Sequence, residues 1–194
     1  MDTSAAKDEL HDYLQQGREV LLWKLEGLAE RDVRRPLTAT GTNLLGLVKH
    51  MAGVEAGYFG LVFDRPFPEP LAWTGPDAEV NADMWATEEE SPADVVALYR
   101  RVWAHSDATI AALPLEARGE VPWWRPAART TTLRRLLVHV VAETHRHAGH
   151  ADVVRELVDG AAGHRASSSN LPEGDAAWWA AHRARLQDVA DRTA

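Results

Sequence analysis

The stretch "VVAETHRHAGHADVVREL", residues 140–157, sets a carboxylate and two imidazoles on an otherwise apolar helical stripe marked by Leu136, Val140 and Val154. At about 100° per residue, His147 lies roughly 40° from Glu143, and His150 about 20° to the other side. Residues four apart on a helix have Cβ atoms about 6 Å apart, close enough to grip one ion together. Glu143 and His147 have that spacing; His139 and His150 fall on the same face, whereas His145 lies about 160° from His147 and belongs on the surface. A second apolar stripe, Leu47, Val54 and Leu61, is interrupted in the same way by His50. Burying a lone carboxylate is unfavourable, and a divalent cation turns that penalty into binding. Arg134, Arg135, Arg146 and Arg155 share the helix with Glu143, so spacing alone leaves a cation site and a salt bridge both open.

The elements that must position these groups read as helices. The first spans about residues 5–30, with Leu10, Leu14, Leu21, Leu25 and Leu28 at helical spacing. Thr42 is the expected cap of a second helix at 43–62. The following stretch carries prolines at 66, 68, 70 and 76, which exclude a continuous helix. A connection of that length tends to cover a site. Ser91, Pro92 and Asp94 open a third helix running to about Leu113. Thr131 or Thr132 caps the fourth, which ends near Asp159 with Gly160 as its stop. The acidic run 88–91 is read as complementing a helix dipole. No alternating run predicts a strand. The expected fold is all-α: a four-helix bundle over residues 1–160, then a flexible crossover and a short C-terminal helix within 161–194 that packs on the same domain.

With 194 residues the chain can bury one substantial core. A net charge of −8 argues against a nucleic-acid or anionic-membrane partner. There is no cysteine, so any metal must be held by His, Asp or Glu. The polar N-terminal stretch predicts no signal peptide, and a cytoplasmic location follows as the expectation.

Two segments, "LLGLVKHMAGVEAGYFG" and "TTLRRLLVHVVAETHRHAGHADVVRELVDG", together resemble the DinB-like family of metal-binding helical bundles. The resemblance is strongest to its actinobacterial subgroup of mycothiol-dependent enzymes, which includes mycothiol-dependent maleylpyruvate isomerase. It spans roughly residues 5–160. Many members hold the metal with three histidines; here the fourth-helix pair reads Glu143-x-x-x-His147, similar to the His-Glu-His set of the isomerase branch. The resemblance thus implies His50, Glu143 and His147 as ligands, with His150 beside them as a proton shuttle or a hydrogen-bond partner.

A three-ligand set leaves the metal open to water or substrate, as catalytic zinc sites do. Zinc is the first expectation; nickel, iron(II) and manganese accept the same ligands. The implied activity is a transferase or isomerase in which the metal turns a soluble thiol such as mycothiol into a thiolate that attacks a small electrophile. Trp124 and Arg125, in "VPWWRPAAR", are candidate substrate-binding residues, an indole for a sugar ring and a guanidinium for a carboxylate. The competing expectation is that Trp123 and Trp124 plug the end of the core; Trp73 and Trp85 are read alike. A metal-dependent hydrolase needs no thiol, and a non-catalytic, stress-associated bundle would close its metal with His139 or His150. A homodimer is open to such a bundle, although nothing in the sequence marks an interface.

Overall fold

The computed structural model describes residues 3–75 and 77–193. The chain divides into two compact units, residues 1–162 and 163–194. In the first, the long helices are α1 (Thr3–Trp23), α3 (Leu44–Glu55), α4 (Pro92–Ala112) and α5 (Leu133–Asp159), with a short α2 (Glu30–Arg34) before α3. In the second, α6 spans Ala176–Arg192, is capped by Asp175, and buries none of its residues.

The start and stop signals act as chemistry dictates. Ser91 accepts from the Asp94 backbone N–H, Thr132 from that of Arg135, and Gly160 ends α5 in a left-handed conformation (φ 78°). One expected cap is corrected: α3 is capped not by Thr42 but by Asn43, whose side chain accepts from the Gly46 N–H at 2.7 Å. The first helix also stops at Trp23, earlier than expected, and Gly27 turns the chain at φ 75°. A further correction is a small antiparallel ladder, β1 (Arg118–Glu120) with β2 (Thr130–Thr132). Strands of three residues are too short for alternation to mark them.

In the first unit α1 lies along α5, and α3 packs on both α4 and α5. Leu14 and Leu21 of α1, Leu47 and Met51 of α3, Val102 of α4 and Leu136 and Val140 of α5 are wholly buried in one core. Ion pairs join α1 to α4, closing the ring: Arg18 donates to Asp107 at 2.7 Å and is held bidentately by Glu55 of α3. Arg18, Glu55 and Tyr99 are each fully buried. The Tyr99 hydroxyl donates to Glu55 at 3.0 Å. Among the described residues no helix is long and apolar enough to cross a membrane.

The end of α3 and the connection beyond it border the groups singled out by spacing. The last turn of α3 continues as a π-helical turn, Ala56–Gly60, then a 3-10 turn, Leu61–Phe63. Single π turns recur at functional sites because they re-aim side chains; this one carries Tyr58. The long connection 64–91 is also fastened to α3 along its length. Lys49, 3% exposed, donates to the Trp85 carbonyl at 3.0 Å and to Glu90 at 2.7 Å. Glu90 therefore does more than complement a helix dipole: it neutralises a buried ammonium.

Candidate metal centre and its two flanking cavities

His50 of α3 and His147 of α5 meet edge to face with ring centroids 4.7 Å apart. The His50 Nδ1 is 2.6 Å from Asp83 Oδ2, and the His147 Nδ1 is 3.4 Å from His150 Nδ1. On the other side of the His147 ring, Nε2 stands 3.7 Å from Glu143 Oε2. Both imidazoles thus engage their Nδ1 atoms with a neighbour. Asp83 accepts only, so His50 donates from Nδ1, and Nε2 is the ring nitrogen left to face a ligand. A histidine that ligates a metal usually donates its other N–H to a carboxylate, carbonyl or water, which fixes tautomer and ring orientation. His147 is 9% exposed. Burial, helped by the neighbouring His50 and His150, lowers its pKa to about 4, so at neutral pH it is an uncharged imidazole, the form that binds metal.

Glu143 is half-buried, its side chain 36% exposed, and its polar contact among the described residues is with His147. Of the four arginines that offered a salt bridge, three are engaged elsewhere, and Arg146, whose charge helps to lower the His147 pKa, makes no ion pair with Glu143. Arg134 pairs with Glu116, Arg155 with Asp159, and Arg135 stacks on Trp124. In this arrangement no three His, Asp or Glu side chains among the described residues are gathered tightly enough to enclose a cation. The donor set nevertheless fits one in its chemistry: two imidazoles with Nδ1 engaged and one carboxylate with no cationic side chain on it.

His150 is exposed, on the solvent side of His147. His139 is drawn into a different cluster. Its Nε2 is 3.1 Å from the Tyr58 hydroxyl, which also receives the indole N–H groups of Trp123 (3.3 Å) and Trp124 (3.0 Å). Indoles only donate, so they occupy both phenol lone pairs and the Tyr58 O–H donates to His139. Trp123, 51% exposed, does not plug the core, whereas Trp124 is partly buried and packs against it; both donate to that phenol.

Two cavities flank these groups. The larger, about 720 Å³, lies under the 64–83 connection and is bordered by His50, Asp83, Trp73 and Trp123. The smaller, about 460 Å³, is lined by Trp123, Trp124, Arg125, Arg135 and His139 with Ala128. The sequence-derived candidates therefore fall into two groups. His50, Glu143, His147 and His150 come together at one level, while Trp124 and Arg125 stand beside His139. His139 and His147 are eight positions apart, about 12 Å of helix. Sequence reasoning missed Asp83 and Tyr58. Asp83 sits 33 positions from His50 in an irregular segment, where no periodicity reports a contact; Tyr58 offered only an aromatic at the end of a helical motif.

No curated protein matches the chain significantly. The family model described as mycothiol-S-transferase matches residues 9–160, which cover most of α1, the site-bearing α3 and α5, and both cavities, and the chain belongs to that family.

Proposed function

We propose that the protein joins the sulfur of a mycothiol-type thiol to a small electrophilic carbon, at a centre where His50, Glu143 and His147 hold a divalent cation, zinc first among the candidates. The observation that carries this reading is the pairing of His50 and His147 across α3 and α5, each with Nδ1 engaged, beside a carboxylate that no arginine neutralises. When bound, the cation favours the thiolate over the thiol.

The chain's own residues supply the rest. Asp83 orients His50, and buried His147 stays neutral. His150, exposed beside His147, carries the thiol's proton to water. Trp124, Arg125 and Arg135 offer an indole face and guanidinium donors to the polyhydroxylated body of the thiol. The sulfur–carbon bond forms as the bond from that carbon to its leaving group breaks, and the leaving group departs with the electron pair. Positioning two reactants in adjoining cavities makes the encounter effectively intramolecular.

The test is elemental analysis of untagged protein beside His147→Ala, followed by thiol-consumption assays with mycothiol present and omitted. About one equivalent of metal in the wild type and a loss of metal in the variant are expected, with product formed only when thiol is supplied. Turnover without thiol would point to hydrolysis. Wild-type protein that neither contains nor takes up zinc would overturn the reading.

A further inference from the structure

The two cavities differ in charge, and the difference bears on the substrate. The smaller has Arg125 and Arg135 in its wall and no carboxylate among the described residues lining it. The larger has the opposite sign: Glu69, Glu79 and Asp83 line it, with no lysine or arginine among its described lining residues. Glu69 is neutralised from outside, by a bidentate bond from Arg101 (2.7 and 2.8 Å), and Asp83 is engaged by His50. Glu79 is exposed and has no cationic partner among the described residues. The rest of the wall is mainly apolar, with Val54, Leu61, Phe67, Leu71, Trp73 and Trp123.

Its size and character are those of a small-molecule site, which is concave, largely apolar and some hundreds of cubic ångströms in volume. Its depth depends on two glycines on the stripe of α3 and the π turn that begins at His50. A methyl group on Gly53 would stand 3.2 Å from Trp73 Nε1, and one on Gly57 would stand 3.2 Å from Trp123. Side chains there would occupy the space beside His50.

We infer that this cavity binds the electrophile, and that it selects small uncharged apolar molecules, aromatic or branched aliphatic, against carboxylates. The inference rests on the proposed thiol transfer and names the substrate class for it. A carboxylate or dicarboxylate has no cationic side chain to meet in this wall and at least one like charge to repel it, so beyond reach of the cation proposed at His50 the wall itself disfavours it. Such a charge at cavity distances weakens binding by about tenfold.

The experiment uses the zinc-loaded full chain and three halides sharing one reactive carbon, with a neutral, a carboxylate or a trimethylammonium substituent. Unreactive analogues, hydrogen replacing halogen, are titrated without thiol on the metal-free full chain, where the wall alone sets the preference, by quenching of tryptophan fluorescence. The neutral analogue is expected to bind, and the carboxylate to bind about tenfold more weakly. Gly53→Leu should abolish neutral binding, and Glu79→Lys, at an exposed position, should narrow the gap between neutral and carboxylate. Equal binding of the neutral and carboxylate analogues, or a gap unmoved by Glu79→Lys, would overturn the inference. Binding in the expected order with no thiol adduct from any halide would sustain the assignment of the cavity and defeat the thiol-transfer reading instead.

Discussion

Glu55 and Glu143 are carboxylates on neighbouring helices with opposite surroundings. Glu55 is fully buried and held by Arg18 and Tyr99; Glu143 is half-buried and meets only an imidazole among the described residues. Removing one partner of a buried pair strands the other charge, a destabilisation of about 3–5 kcal/mol. Glu55→Ala should therefore lower the denaturant midpoint sharply, while the paired replacement Arg18→Met with Glu55→Leu should recover much of the loss. Equal loss in both would mean that packing, not charge, dominates there. Asp107 adds a pH signature. Burial alone would raise its pKa, but bonds from His11 and Arg18 outweigh that and hold it below the ordinary carboxylate value. The unfolded chain then takes up a proton more readily than the folded one, so the stabilisation is complete at neutral pH and fades as pH falls through about 4 and below. Asp107→Asn should cost roughly 1–2 kcal/mol at pH 7 and flatten the acid limb of the stability curve. Of these groups, only the Glu143–His147 pair was legible in the sequence, because its four-residue spacing lies within one helix. Arg18 and Glu55 are 37 positions apart, and residue types alone do not announce such a pairing.

At the level of elements, the helix positions followed from periodicity and caps, since Ser91, Pro92 and Gly160 act through local backbone chemistry. The connection 64–91 was legible only as something too long to be idle. How it is fastened depends on contacts that no local signal encodes. Lys49 reaches Trp85 and Glu90, His50 reaches Asp83, and Gly46 has the Met84 carbonyl against its α-carbon. A methyl group on Gly46 would sit 1.8 Å from that oxygen, an overlap that only displacement of the connection can relieve. Gly46→Ala gains helix propensity, about 1 kcal/mol in an open helix, yet should destabilise the protein and raise hydrogen exchange in residues 77–90. It should also weaken zinc binding, because Asp83 would leave His50. Unchanged exchange in that segment would show that the connection is not anchored through this contact.

Across the first unit, the proposed ligands come from α3 and α5, elements nearly a hundred positions apart whose packing the core already enforces. A cation held by His50 of one and Glu143 and His147 of the other would bind the folded chain far better than the unfolded one, which retains only the local pair. Ligand binding of that kind stabilises by about 2.7 kcal/mol when the free ion is at a hundred times its dissociation constant. For a chain of this size that corresponds to a rise of about 5–10 °C in the midpoint of thermal unfolding. His50→Ala should abolish the rise, since it removes the only proposed ligand outside α5. His145→Ala is the control, because His145 points away from the pair and meets the Tyr13 carbonyl at 3.0 Å. Its rise should equal that of the wild type. A rise that survives His50→Ala but disappears with His145→Ala would place zinc on the side of α5 that faces α1. The cation would then be separated from both cavities and from the chemistry proposed for them.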